Sequence, residues 1–384
     1  MGFYFPVPLK DLLNIVNSVT SGSVETAIMT VDKEEYNMLV ALSARHKTDY
    51  YLFSYFQQNP SPALVEEQNR LREKITRQAV KSLNQLNELI SLCKRLNEEG
   101  LYYAVIKGPH LARMLYGKEA VKVSVDLDIM MVNRNDLRAF HEVFLGAGYA
   151  CAEQRLMTGT WKQRLFVSAK REVHYFNRKA QCAIDLHVKP LANSILTAYR
   201  YRDFFADIEQ DGFEGITMPV LPTEKYFVYL CYHAACHRFS RLAWLLDIVN
   251  FYRLKKDQMD DEKILAVARS LNMERPAWLA FAMMNLLFNV EISKEINSLL
   301  NQYRPLKWMV KSCLKAIAYE KGEDLKLRAR FDRMIYLIRL NKGIAGKVDV
   351  VVSVILRNIV LALFQPAEKP PLPPPRGRTQ DSAL

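Results

Sequence analysis

The chain has 384 residues and a mass of 44.4 kDa, beyond the roughly 250 to 300 residues at which a single hydrophobic core stops growing, so two domains are expected. Half of its residues are apolar and 24% are charged, which excludes a disordered or fibrous chain. Lysine and arginine outnumber acidic residues 53 to 41, and the resulting +12 points to an anionic partner without separating nucleotide, nucleic acid and lipid.

The opening MGFYFPVPLK has no basic stretch ahead of an apolar run, and Pro6 and Pro8 disfavour a signal helix, so a secretory leader is not expected. Residues 33 to 100 read as helical. Ser61-Pro62 opens a long segment in which Leu64, Leu71, Ile75, Val80, Leu83, Leu86, Leu89 and Ile90 recur at helical spacing, closed by Gly100. Next come a strand over Leu101 to Ile106, a turn at Lys107-Gly108-Pro109 and a helix over His110 to Tyr116. A second strand is predicted over Val125 to Val132, with Asn133 placed to cap a helix over Asp136 to Leu145. Alternation of apolar and polar residues places further strands at Leu165 to Ala169, Glu172 to Phe176 and Cys182 to Val188. After Pro222 the pattern is helical over Thr223 to Leu254, Asp260 to Leu271, Glu274 to Asn289, Leu306 to Tyr319, Leu325 to Leu340 and Lys347 to Phe364.

This order predicts an α+β protein: an N-terminal helical region (1–100), a small mixed-sheet core flanked by helices (101–220), a larger all-helical domain (221–365) and a proline-rich tail (366–384). The most apolar stretch, Val348 to Phe364, contains Asp349, Arg357 and Asn358. It falls short of the roughly 20 apolar residues that cross a bilayer, so no transmembrane segment is expected and the stretch reads as a buried helix. The cysteines Cys93, Cys151, Cys182, Cys231, Cys236 and Cys313 make no regular framework, which fits a reduced, cytoplasmic setting.

The most informative spacing is Asp126-Leu127-Asp128-Ile129. On a strand the two aspartates share a face, about 7 Å apart at Cα, while Leu127 and Ile129 anchor the opposite face. Two such carboxylates repel unless a divalent cation lies between them, and magnesium accepts carboxylate ligands while leaving room for phosphates. Lys107-Gly108-Pro109 follows a strand and opens a helix, so backbone N–H groups there can meet a phosphate. Ile184-Asp185-Leu186-His187 repeats the alternation and brings a third carboxylate within range, with His187 on its face.

The segments VIKGPHLARMLYGKEAVKVSVDLDIMM, HYFNRKAQCAIDLHVKPL and HAACHRFSRLAWLLDI resemble the uncharacterised nucleotidyltransferase family of the polymerase-β-like superfamily, over roughly residues 70 to 300. The resemblance implies that Asp126 and Asp128 bind Mg2+ or Mn2+, that Asp185 completes a catalytic triad, and that Lys107 and Gly108 help hold the triphosphate of an NTP. Transfer of its nucleoside monophosphate to an acceptor hydroxyl follows; the acceptor, whether small molecule, sugar, protein or RNA, is left open. Two positions depart from the pattern. Pro109 stands where the superfamily has serine or glycine, and Lys122, a point charge, stands where arginine is usual.

His233 and His237, four apart on one predicted helix, have zinc spacing but no local third ligand; they read as cleft residues, with Arg238, Arg241 and Asp247 of the same helix contributing to a nucleotide pocket or domain contact. Lys122, His187, Arg238 and Arg241 join Lys107 and Gly108 as candidate nucleotide-binding residues. His174 and Tyr175 read as ordinary strand residues, and Tyr50 to Phe56 as aromatic core. Arg304 to Lys347 carries twelve basic and four acidic residues, a solvated helical face or an anion-guiding surface. The rival readings are a catalytically degraded nucleotide-binding protein and an RNA-binding protein using those basic helices.

Overall fold

The computed structural model describes residues 5–21, 30–117, 122, 124, 126–153, 172–189, 204–319 and 326–363. The N-terminal hundred residues form helices α1 (Val7–Ser21), α2 (Lys33–His46), α3 (Asp49–Gln58) and α4 (Val65–Glu98). The α1 helix went unrecognised in the sequence. Asp32 opens α2 with a capping box, its carboxylate accepting the Glu35 N–H while the Glu35 carboxylate accepts the Asp32 N–H. The helix stops at Lys47, whose φ of 56° is left-handed. Pro62 starts a 3-10 turn that runs into α4.

Strands β1 (Tyr103–Val105), β2 (Leu127–Met131), β3 (Ala150–Cys151), β4 (Glu172–Asn177), β5 (Cys182–His187), β6 (Glu209–Phe213) and β7 (Ile216–Val220) form one mixed sheet in the order β3-β4-β5-β2-β1-β7-β6. The strand expected at 165–169 lies outside the described residues, and so does the proline-rich tail. Helix α5 (Gly108–Tyr116) connects β1 to β2, and a 3-10 turn capped by Asn133 leads into α6 (Leu137–Gly146). One sheet face, through Leu127, Ile129, Ile184 and Leu186, packs with Leu89, Leu92 and Leu96 of α4 and Phe140 and Phe144 of α6. The other face carries the carboxylates, and there Ala104 and Met130 join a larger core.

That larger core is built from both ends of the chain. Beyond residue 222 the helices are α7 (Thr223–Cys236), α8 (Leu242–Lys255), α9 (Asp261–Ser270), α10 (Glu274–Phe288), α11 (Lys294–Gln302), α12 (Leu306–Ala318), α13 (Lys326–Leu340) and α14 (Gly343–Leu363). Leu12, Val16, Tyr36 and Leu52 of the first helices share one core cluster with Phe227, Leu246 and Phe281 of the later ones.

Two readings need correction. The helix expected over Thr223 to Leu254 is broken: α7 ends at Cys236, Arg238 and Phe239 take left-handed φ of 55° and 50°, and α8 begins at Leu242. No glycine or proline marks this break, so apolar spacing alone ran through it. Over the residues whose burial is described, the C-terminal helix is covered along one side and exposed along the other. Val350, Asp349 and Ser353 are covered, whereas Ile344, Val348, Val351 and Ile355 are exposed. Among the described residues, no helix is long and apolar enough to cross a membrane.

Candidate active site

Register builds the site. Asp128 on β2 pairs directly with Asp185 on β5, which pairs with His174 on β4, and residues paired across strands face the same side. The three side chains therefore form a row across the sheet. Asp126 sits immediately before β2, two residues from Asp128, so the acidic pair spans the strand entry rather than lying within the strand. Carboxylate oxygens of Asp126, Asp128 and Asp185 lie within 4.8 Å of one another.

Each carboxylate has a different surrounding. Burial and the negative charges of Asp128 and Asp185 push Asp126 up to about 8, so this group carries a proton at neutral pH. Burial alone would raise Asp128 too. The Lys107 ammonium, with Nζ 2.8 Å from Asp128 Oδ1, and His187, whose Nε2 lies 2.9 Å from the same oxygen, outweigh it and hold Asp128 well below the usual carboxylate range. Asp185 is likewise opposed by burial and held low by His174, whose Nδ1 donates to Oδ1 at 2.7 Å. The same bond raises His174 against its own burial.

His174 is thus a site residue where an ordinary strand residue was expected. His187 sits on the expected face but contacts Asp128 rather than Asp185, and its ring is buried. Lys107, expected at a triphosphate, lies on Asp128; its ammonium also donates to His233 Nε2 at 3.3 Å. Gly108 has a φ of 69°, and a Cβ there would come 3.4 Å from the Asp126 carbonyl oxygen and 3.6 Å from Asp128 N. This glycine lets α5 begin directly against the acidic strand.

The remaining candidates line up on the helical side. Lys122 pairs with Asp247 of α8, which also accepts from the Tyr116 hydroxyl at 3.2 Å. Burial, with Arg241 and Lys122 nearby, lowers the Lys47 ammonium to about 8; nothing in the sequence singled out Lys47. His237 lies just past the end of α7, its ring 5.0 Å from that of His233 and 4.8 Å from Trp244. Arg238 and Arg241 fall in the α7–α8 connection, not on a helix.

The model of a family described as uncharacterised nucleotidyltransferase matches residues 32–289, more than half of the chain. The chain belongs to this family. No curated protein and no solved structure matches it. In this family member the matched span contains the three aspartates, His174, His187 and the α7–α8 connection, so the row across β2, β5 and β4 lies inside it. Glu172, His174 and Asp185 form a second group whose ligand atoms lie within 4.8 Å of one another. It shares Asp185 with the acidic triad, and Glu172 Oε1 is 3.3 Å from His187 Nδ1. The acidic groups are able to hold a metal ion.

Proposed function

We propose that the protein moves a nucleoside monophosphate from an NTP to an acceptor hydroxyl, with Mg2+ or Mn2+ held by Asp126, Asp128 and Asp185. The observation that carries this reading is the convergence of three carboxylates, whose oxygens lie within 4.8 Å of one another. A hard divalent cation relieves their repulsion and suits an all-oxygen donor set. When bound, the metal supplies charge neutralisation for the phosphates. Lys107 exchanges Asp128 for a phosphate oxygen, and the α5 amide groups behind Gly108 face the same anion.

In the transfer, the acceptor oxygen forms a bond to the α-phosphorus as the bond to the bridging oxygen breaks, and that electron pair leaves with pyrophosphate. The acceptor proton passes to Asp185, which His174 orients. The small mixed sheet with its acidic strand supports a polymerase-β-like core over 101–220, with the regions 1–100 and 221–365 flanking it, in a cytoplasmic protein. Positioning and electrostatics account for the rate.

The test is label transfer from radiolabelled NTPs, with magnesium and cell extract, by wild type and by Asp126→Ala plus Asp128→Ala. Transfer by wild type alone is expected. Neither transfer nor nucleotide binding by the wild type would sink the reading. A second reading draws on the Lys107–Asp128 ion pair at 2.8 Å, which fills the place of a metal charge: nucleotide binding without turnover. Calorimetry showing magnesium-dependent NTP binding, with no turnover across many acceptors, would favour it.

A further inference from the structure

At Lys47, whose ammonium feels the Asp126 carboxylate, lies a cleft of about 690 Å³, within the size range of small-molecule sites. Four segments bring cations to it: Arg45 and Lys47 from the end of α2, Arg238 and Arg241 from the α7–α8 connection, Lys315 from α12 and Arg333 from α13. None of the lining side chains among the described residues is acidic. Six cationic side chains gathered around one cleft favour a multiply charged anion there.

Lys47 and Arg238 hold left-handed φ, 56° and 55°, where their helices stop, so two helix ends bring these cations to the cleft. Its lining connects to the acidic site through a chain of side chains. His237 lines it and packs against His233, which accepts from Lys107, which pairs with Asp128.

We propose that this cleft receives the phosphate groups of the acceptor, a small molecule bearing two or more phosphates whose hydroxyl is presented to the carboxylates. The assignment of the ligand as acceptor rests on the nucleotidyl-transfer reading; the anion site itself does not. Its phosphate chemistry is shared by the triphosphate of the donor, and the donor is placed instead at Gly108 and the acidic strand.

The test uses inorganic tripolyphosphate as the probe, titrated calorimetrically into the full chain in EDTA. Binding is expected, weakening as salt rises because partly exposed charges are screened. Lys315→Glu, at an exposed helical position, and Arg241→Ala should each weaken it about tenfold, the size of one lost charge-assisted contact, with unfolding curves confirming that both variants fold. Asp126→Asn plus Asp128→Asn should leave it intact. With magnesium and NTP already bound, tripolyphosphate should still bind.

Mutual exclusion of tripolyphosphate and NTP would overturn the acceptor assignment and give the cleft to the donor. Absence of tripolyphosphate binding, or variants that bind as wild type does, would overturn the anion site. Binding of an RNA oligonucleotide at least about 100-fold tighter than tripolyphosphate would replace the small molecule by a nucleic acid. Failure of NTP to bind while tripolyphosphate binds would remove the nucleotidyl-transfer reading and leave the anion site standing.

Discussion

Gly108 is the residue on which the turn and the acidic strand meet. In Gly108→Ala a left-handed φ costs about 1–2 kcal/mol, and the new Cβ presses on the Asp126 carbonyl from 3.4 Å. Gly100, just past the end of α4, offers the matched control, since its φ is 63° and a Cβ there meets nothing within 4 Å. Urea unfolding should find both alanine variants destabilised by similar amounts, whereas label transfer should fall in Gly108→Ala alone. His174→Ala removes the bond that holds Asp185 low and in place. Losses of a carboxylate's orienting partner reduce metal affinity or activity by roughly 10- to 100-fold; titration of Mn2+ by electron paramagnetic resonance would measure this, and unchanged affinity would remove His174 from the site. The alternation Asp-x-Asp and Asp-x-His is legible in the sequence because strand period fixes which residues share a face. His174 was not legible, because its role comes from a register, His174 opposite Asp185, that no local pattern specifies. Lys47 escaped for the same reason: its neighbours Arg241 and Lys122 are distant in sequence.

At the scale of elements, the break between α7 and α8 is held from outside. His46 Nδ1 accepts the Leu242 N–H at 3.3 Å, capping α8, and the Tyr336 hydroxyl donates to the Ala235 carbonyl at 2.7 Å near the end of α7. Burial lowers His46 to about 4, with Arg45 adding to the effect. A depressed histidine pKa means that the unfolded chain binds the proton first: stability is full above the ordinary value near 6.5 and declines as pH falls toward 4. This one group should remove roughly 2 kcal/mol between pH 7.5 and pH 5. Chemical unfolding of His46→Asn, which keeps an acceptor but does not titrate, should show a flatter decline; an identical slope would assign the acid sensitivity elsewhere. The break itself was hidden because Arg238 and Phe239 adopt the left-handed region without a glycine. The β6–β7 hairpin was missed for a related reason. Glu214 and Gly215 both have positive φ, 46° and 82°, as a tight two-residue hairpin turn requires, but β6 is mostly polar and Pro219 interrupts the apolar pattern of β7. The α11 helix, capped by Ser293, is short and lies in a stretch the helical spacing did not flag.

Across the whole molecule, charge is distributed by function rather than by segment. Arg304 to Lys347 reads in sequence as one basic block, yet Lys315 and Arg333 line the cleft, Lys342 pairs with Glu274 at 2.8 Å, and Arg339 lies 4.2 Å over the Trp308 ring. Only the fold, which brings the end of α2 to the late helices, shows that part of this surplus lines one cleft with Arg45, Lys47, Arg238 and Arg241. Positive cleft and negative triad then carry opposite liabilities, and the triad's is open to measurement. Because Asp126 is raised to about 8 from an ordinary 3.8, ionising it disfavours the folded state: the stability linked to this group is complete at pH below the ordinary value and is lost as pH rises through 8. Asp126→Asn should therefore be more stable than wild type in EDTA at pH 8.5. With the proposed metal site, magnesium should reverse the order, because a ligand at 100 times its dissociation constant adds about 2.7 kcal/mol to the protein that binds it, and the variant would lack one ligand carboxylate. Unfolding free energies of the two proteins, measured with EDTA and with saturating magnesium, should cross. Parallel stabilisation of both would place the metal away from Asp126, and a variant weaker than wild type in EDTA would mean that the carboxyl holds the fold rather than strains it.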